Sequence, residues 1–309
     1  VVKPSEDTPL CALAIAKLAL DAGVPPGVFN VVTTIDAPAV GKVLTDDGRV
    51  RKLTFTGSTA VGKALYRQSA DTVKKLTLEL GGNAPLVIFD DADLGQAVAG
   101  AMASKYRNAG QTCVCANRIL VQSGIYDRFA AALVDAVSKL HVAPGTDAKS
   151  TIGPLINSDA IAKVETLSKD AISKGAEVLT GGARSPVGPL FYQPTVIGGV
   201  TASMDIVREE IFGPVAALMR FETEAEAVAL ANDTPFGLAA YLFSQNLSRA
   251  WRVAEKLDAG MIGVNDGIFS NEVVPFGGVK ESGLGREGAA EGLEEYLETK
   301  FICLGAIDA

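Results

Sequence analysis

Two thiols one residue apart, Cys113 and Cys115 in NAGQTCVCANR (Asn108 to Arg118), are the side chains here best suited to nucleophilic chemistry. Gly110, Gln111 and Thr112 precede the first. Small and polar residues of this kind build loops in which backbone amides come close and lower a thiol pKa from about 8.5. An inert buried cysteine fits the same local residues. A thiol nucleophile needs a base, and the chain has one histidine, His141 in SKLHVAPG, near an expected helix end. The ordinary role there is a surface, dipole-stabilised imidazole. One histidine excludes multi-histidine metal sites and leaves the base to a carboxylate. Glu79 closes the extended run KKLTLE just before two glycines. From there it could reach a site built at a sheet edge, although alone it also reads as a surface glutamate.

FTGSTAVGK (Phe55 to Lys63) runs from a strand through Gly57 and Ser58 into a helix, which aims backbone N–H groups at a phosphate. Its Gly57, Gly62 and Lys63 have P-loop spacing, but Ala64 stands where a hydroxyl residue would hold Mg²⁺. A dinucleotide pyrophosphate fits better than a transferable γ-phosphate. Gly283, Gly285 and Gly288 spell a formal GxGxxG late in the chain. They follow PFGGVKE rather than an expected strand and lack an acidic residue about 20 positions on, so they are rejected as a cofactor site.

These residues must be placed by regular elements. A chain of 309 residues with 48% hydrophobic content can bury a full core, and its length favours two domains. The first third reads β-α-β-α-β-α-β: Val1–Val2, TPLCALAIAKLALDAG, GVFNVV, a polar helical stretch, KLTFTGS, TAVGKALYRQSA and KKLTLELGG. Thr8 and Pro9 form a cap and first turn, and Gly23 closes that helix. This order predicts a parallel sheet covered by helices. A second α/β unit begins near Asn83 with APLVIF, and the boundary is placed at Glu79 to Gly82.

A net charge of −8 argues against nucleic acid, whose binders carry basic stripes. Four scattered cysteines do not make a disulfide framework and fit a reducing cytosol or mitochondrial matrix. No run reaches the ~18 apolar residues that span a bilayer, and VVKPSEDTPL lacks a signal peptide's pattern. The expected location is therefore cytoplasmic, with no membrane partner.

KPSEDTP, FTGSTAVGK, LELGGNAP, NAGQTC, EEIFGP and PFGGVKESGLGRE, in this order, resemble the NAD(P)-dependent aldehyde dehydrogenases. SKYRNAGQTCVCANR and GIFSNEVVPFGG are most similar to the family's succinate-semialdehyde branch. The resemblance implies an α/β fold: part of a Rossmann-type cofactor domain over 1–81, an α/β catalytic domain over 82–281, and a return segment with a C-terminal bridging strand over 282–309. It implies that Cys113 attacks the aldehyde carbon and that Glu79 is the general base. Asn83 beside it receives no role. Lys3 and Glu6 match positions that grip the adenine ribose, Gly57 and Ser58 the pyrophosphate turn, and Glu210 with Phe212 the nicotinamide ribose and ring. A carboxylate at Glu6 would repel a 2′-phosphate, so NAD is expected over NADP. Arg107 and Ser270 match positions that bind a distal carboxylate, and Phe276 matches a pocket aromatic.

The expected reaction is oxidation of succinate semialdehyde to succinate, with glutarate semialdehyde or another ω-carboxy aldehyde as the alternative. The family's N-terminal portion has no counterpart here. That absence removes an oxyanion-hole asparagine and a second arginine, and losing one oxyanion donor typically costs ~10² to 10³ in kcat. The expectation is a fragment of a longer enzyme; the reading from another class is a catalytically incomplete homologue acting as an interaction protein. The apolar tail EEYLETKFICLG implies a homo-oligomer, dimer or tetramer. Cys115 either packs as a small apolar side chain or forms a reversible disulfide with Cys113 under oxidation.

Overall fold

Apolar runs broken by glycines become buried strands in the computed structural model, which describes residues 1–306. The chain divides into two units, one of residues 1–55 and 60–76, the other of residues 56–59 and 77–309. The last residues, 307–309, and with them the end of the expected return segment, lie outside the described residues.

The first unit holds α1 (Pro9–Asp21), α2 (Ala37–Asp46), most of β1 (Lys52–Thr56), most of α3 (Thr59–Ser69) and the start of β2 (Lys75–Glu79). Pro9 opens α1, where its missing N–H leaves nothing unsatisfied. Thr8 caps α1 by position only: its side chain makes no capping bond, and its N–H donates to Ser5 O instead. Asp36 caps α2 through Ala39 N–H at 3.1 Å. Lys74 Nζ donates to Asp47 O and Val50 O, at 2.6 and 2.8 Å, and so fixes the turn ahead of β1. The two strands expected at Val1–Val2 and Gly27–Val32 shrink to one parallel bridge, Val2 to Val31. An isolated strand pair without a packed face is marginal, which accounts for the short pairing.

The second unit continues with β3 (Ala84–Ile88), α4 (Leu94–Tyr106), β4 (Ala116–Gln122), α5 (Ser123–Ser138), α6 (Ser158–Ser173), β5 (Glu177–Thr180), β6 (Thr195–Gly198) and α7 (Asp205–Arg208). Then come β7 (Val215–Phe221), α8 (Glu224–Asn232), β8 (Phe236–Gly237), β9 (Ala239–Phe243), α9 (Leu247–Ala254), β10 (Met261–Val264), β11 (Val279–Lys280), β12 (Gly283–Leu284) and α10 (Ala289–Glu294). A seven-stranded sheet runs β10-β9-β3-β4-β7-β6-β5, parallel except for β5 against β6. Strands β3, β9 and β6 are buried throughout, as a sheet covered on both faces demands. Helix α4 lies so close to β9 that a Cβ at Gly100 would stand 2.2 Å from the Phe243 ring.

The late glycines have a packing role. β12 pairs antiparallel with Leu78 and Glu79, and a Cβ at Gly283 would meet Leu78 O at 1.9 Å. Their spacing therefore records a close backbone approach, consistent with their rejection as a dinucleotide loop. Within the single chain residues 297–306 adopt no strand, and Phe301 is 89% exposed. A strand exists through hydrogen bonds to a neighbour, and among the described residues no strand edge pairs with this segment.

Candidate active site

Three neighbouring strands of the large sheet, β3, β4 and β7, are entered through loops that carry polar groups. Glu79 ends β2 and the β2–β3 link holds Leu80 to Asn83, the loop after α4 holds Cys113, and the segment after α7 holds Glu210 and Phe212. These groups gather at the amino ends of parallel strands, the opposite end from the usual ligand crevice of an open α/β sheet.

The loop before Cys113 is strained. Asn108 (φ 52°), Ala109 (φ 54°) and Gly110 (φ 76°) are successively left-handed, a conformation that non-glycine residues hold at a cost of about 1 kcal/mol or more each. Gln111 secures the turn: its Nε2 donates to Asn108 O and Pro154 O, and its Oε1 accepts Ile156 N–H at 2.9 Å. Gly110 is obligatory, since a Cβ there would lie 2.2 Å from Gly213 O. At Gly82 a Cβ would come within 2.4 Å of Cys113 O. The β2–β3 link is thus pressed against the backbone of the nucleophile candidate.

Burial pushes the Cys113 thiol up to about 11, and the charges of Glu210 and Glu79 push the same way. Its own amide and that of Val114 oppose the shift. The expected lowering by loop amides is therefore present but outweighed, because desolvation and two carboxylates from distant elements act against it. Glu79 is 3% exposed, and neither carboxylate oxygen has a hydrogen-bond partner among the described residues. Burial raises it to about 8; Glu287 adds to the rise and Arg286 opposes it. Burial also raises Glu210, against the pull of the Gly82 N–H bonded to its Oε1 at 3.0 Å. A buried carboxyl poised near neutrality beside a thiol can take a proton from that thiol or from water.

Gly57 donates its N–H to Glu79 O at 3.0 Å, and Ser58 follows it directly before α3. A Cβ at Gly81 would sit 3.2 Å from both Glu210 Oε2 and Thr59 Oγ1. Bare backbone beside a buried carboxylate suits a group that must come close and offer hydroxyls, so these residues fit a nicotinamide ribose. Phe212 follows in a left-handed conformation (φ 52°). Arg107 is exposed and has no ion-pair partner among the described residues. Ser270 is exposed too; the ring of its neighbour Phe269 packs on Tyr241, whose hydroxyl donates to Val114 O at 2.6 Å. Phe276 is half-buried and exchanges two 2.7 Å backbone bonds with Glu287. Lys3 and Glu6 belong to the first unit, where they form a 3.4 Å ion pair. Hydrogen bonding from its own amide and then Lys3 holds the Glu6 carboxyl below the usual range.

Cys115 is buried, with Sγ donating to Lys105 O at 3.4 Å, and both thiols are free. Burial raises Cys115, while the charge of Lys105 opposes that rise. The Lys105 ammonium is itself buried without a hydrogen-bond partner among the described residues. His141 is exposed beside Asp147, 3.3 Å away, and takes no part in the site. Asn83 and Asn117, neither assigned a role from the sequence, bond to each other through their side-chain amides at 2.7 Å among these loops. The signal was present in CANRILVQ, where Asn and Arg open an otherwise apolar strand and must find partners.

Residues 1–302 match the aldehyde dehydrogenase family. The chain is 60% identical over 305 residues to a mitochondrial succinate-semialdehyde dehydrogenase of Arabidopsis thaliana, covering 99% of this chain and 58% of that protein. It is 58% identical over 305 residues to the succinate-semialdehyde dehydrogenase [NADP(+)] GabD of Escherichia coli, covering 99% and 63%. The crystal structure of succinate-semialdehyde dehydrogenase from Burkholderia pseudomallei superposes with a TM-score of 0.94 at 59% identity, over 96% of this chain and 61% of that one. The chain thus spans about three fifths of the length of the relatives it matches.

Proposed function

The chain belongs to the aldehyde dehydrogenase family, and on that premise we propose that its protein oxidises succinate semialdehyde to succinate with NAD(P). The observation that carries the reading is the buried, unpartnered Glu79 carboxylate whose charge acts on Cys113. Glu79 takes the thiol proton, directly or through water, Cys113 Sγ attacks the aldehyde carbon, and Glu79 returns the proton to the resulting alkoxide to give a thiohemiacetal. The amides of Cys113 and Val114, which oppose the rise in the thiol pKa, are placed to assist that charge. NAD(P), when bound, supplies the hydride acceptor. Loss of hydride from the carbon and of the hydroxyl proton to solvent leaves a thioester on Cys113. Glu79 then takes a proton from water, the hydroxide attacks the thioester, and succinate departs as the thiol regains its proton.

Gly57 and Ser58 are assigned to the pyrophosphate, Glu210 and Phe212 to the nicotinamide ribose and ring, and Lys3 and Glu6 to the adenine ribose. Glu6 favours NAD, since its carboxylate disfavours a 2′-phosphate. The relative named for NADP(+) makes this a pointed test. A higher kcat/KM with NADP than with NAD would overturn the preference. Arg107 and Ser270 are assigned to the distal carboxylate and Phe276 to the pocket wall. The exposed guanidinium of Arg107 supports this, because arginine binds carboxylates bidentately. Residues 1–81 would serve the cofactor and 82–281 the chemistry. The exposed apolar tail, with Phe301, Ile302 and Leu304, would pair with a second copy.

A panel of succinate semialdehyde, glutarate semialdehyde and an uncharged aldehyde of equal length tests the substrate. The reading expects the four-carbon ω-carboxy aldehyde to give the highest kcat/KM; a preference for the uncharged aldehyde would refute it.

A further inference from the structure

We propose that Asn117 is a positioning residue for Glu210, the carboxylate assigned to the nicotinamide ribose; the inference rests on that assignment. Asn117 is 3% exposed, and its amide grips the backbone on both sides of Glu210. Its Oδ1 accepts Ile211 N–H at 2.8 Å, while its Nδ2 donates to Glu209 O at 2.9 Å and, at 3.4 Å, to Ile206 O. The Glu210 side chain is held independently, by Gly82 N–H on Oε1.

A closed circuit results. Asn117 Nδ2 also donates to Asn83 Oδ1 at 2.7 Å, and Asn83 is the residue directly after Gly82. Asn83 Nδ2 donates in turn to Val207 O at 2.8 Å, and Arg118 holds Asn83 O through Nε and Nη2 at 3.2 and 2.9 Å. The carboxylate and the peptide groups on either side of it are therefore tied to the β2–β3 link and to the start of β4. The bond to Ile211 also lies directly ahead of Phe212, whose left-handed backbone persists only if its surroundings enforce it. Among the described residues the side chain of Asn117 bonds to Asn83, Ile206, Glu209 and Ile211, not to the thiol or the base. Its loss would let Glu210 and Phe212 drift while Cys113 and Glu79 stay in place.

The test compares two activities of one site in the whole protein. Asn117→Ala removes the circuit, and Asn117→Ser, which keeps one hydroxyl to bond within the gap, serves if the alanine variant does not fold. NADH binding is read from protein fluorescence, NAD-linked aldehyde oxidation from steady-state rates, and hydrolysis of p-nitrophenyl acetate without cofactor from the thiol and base alone. Displacing a group by about 1 Å can cost on the order of 10²-fold. The variants should weaken NADH binding or lower kcat for aldehyde oxidation by roughly tenfold to a hundredfold, with ester hydrolysis within about twofold of the parent. An equal fall in both activities, or no fall in either, overturns the proposal. A parent protein that hydrolyses the ester but does not bind NADH overturns the cofactor assignment and the proposal with it.

Discussion

Replacing Glu79 with glutamine should change how stability depends on pH, not only the activity. The folded carboxyl titrates at about 8 against an ordinary value of 4.5. Between those two values the folded state keeps a proton that the unfolded chain has lost. Stability contributed by the protonated form is therefore full below about 4.5, declines as pH rises, and is gone above about 8. A shift of that size corresponds to roughly 5 kcal/mol at about 1.4 kcal/mol per pH unit, an upper figure for a group that is only 3% exposed. Glutamine does not titrate. From pH 6 to pH 8 the stability difference between Glu79→Gln and the parent should move by about 2 kcal/mol in the variant's favour. For a domain of this size that is a relative shift in Tm of roughly 4 to 8 °C. Scanning fluorimetry across that range measures it, and the variant should also lose ester hydrolysis. Parallel Tm curves for parent and variant would refute the account of Glu79 as a buried, unpartnered carboxyl.

Gly82→Ala should destabilise the fold and abolish activity together, by about 2 kcal/mol or more of overpacking, because its Cβ would lie 2.4 Å from Cys113 O; chemical denaturation reads this, and an unchanged midpoint contradicts it. Arg107→Ala should raise KM for succinate semialdehyde about tenfold or more, from loss of a charge-assisted bond of roughly 1.5 to 3 kcal/mol, and leave a neutral aldehyde nearly unaffected; equal losses on both count against the carboxylate role. Cys115→Ala should keep activity and lose dithiothreitol-reversible inactivation by peroxide if the two thiols form a switch. Should peroxide inactivate parent and variant alike, with dithiothreitol restoring both, Cys115 is a packing residue only.

The alternation of strand and helix was legible because local signals carried it: Pro9 opening α1, glycines ending runs, and continuous apolar stretches such as APLVIF becoming β3. Signals that need a partner far along the chain were not. Val1–Val2 reads as a strand by composition but finds one bridge, Val2 to Val31. Within the candidate site, glycine-rich surroundings mark Cys113 and Glu79, and the amides that lower the thiol pKa are present, but burial and two carboxylates outweigh them. The carboxylates that oppose ionisation lie on β2 and ahead of β7, distant in sequence. Asn117 shows the same limit: its partners Glu209 and Ile211 stand 92 and 94 positions away. Only the oddity of a polar pair opening an apolar strand was visible beforehand.

The most direct test of the central claim is to trap the acyl group. The whole protein is mixed with succinate semialdehyde and NAD, quenched in acid within the first turnover, digested, and examined by mass spectrometry. The account predicts a succinyl thioester on Cys113, dependent on the cofactor, absent from Cys113→Ala and longer-lived in Glu79→Gln. Oxidation of the aldehyde with no label on Cys113, or with the label on Cys115, would contradict it.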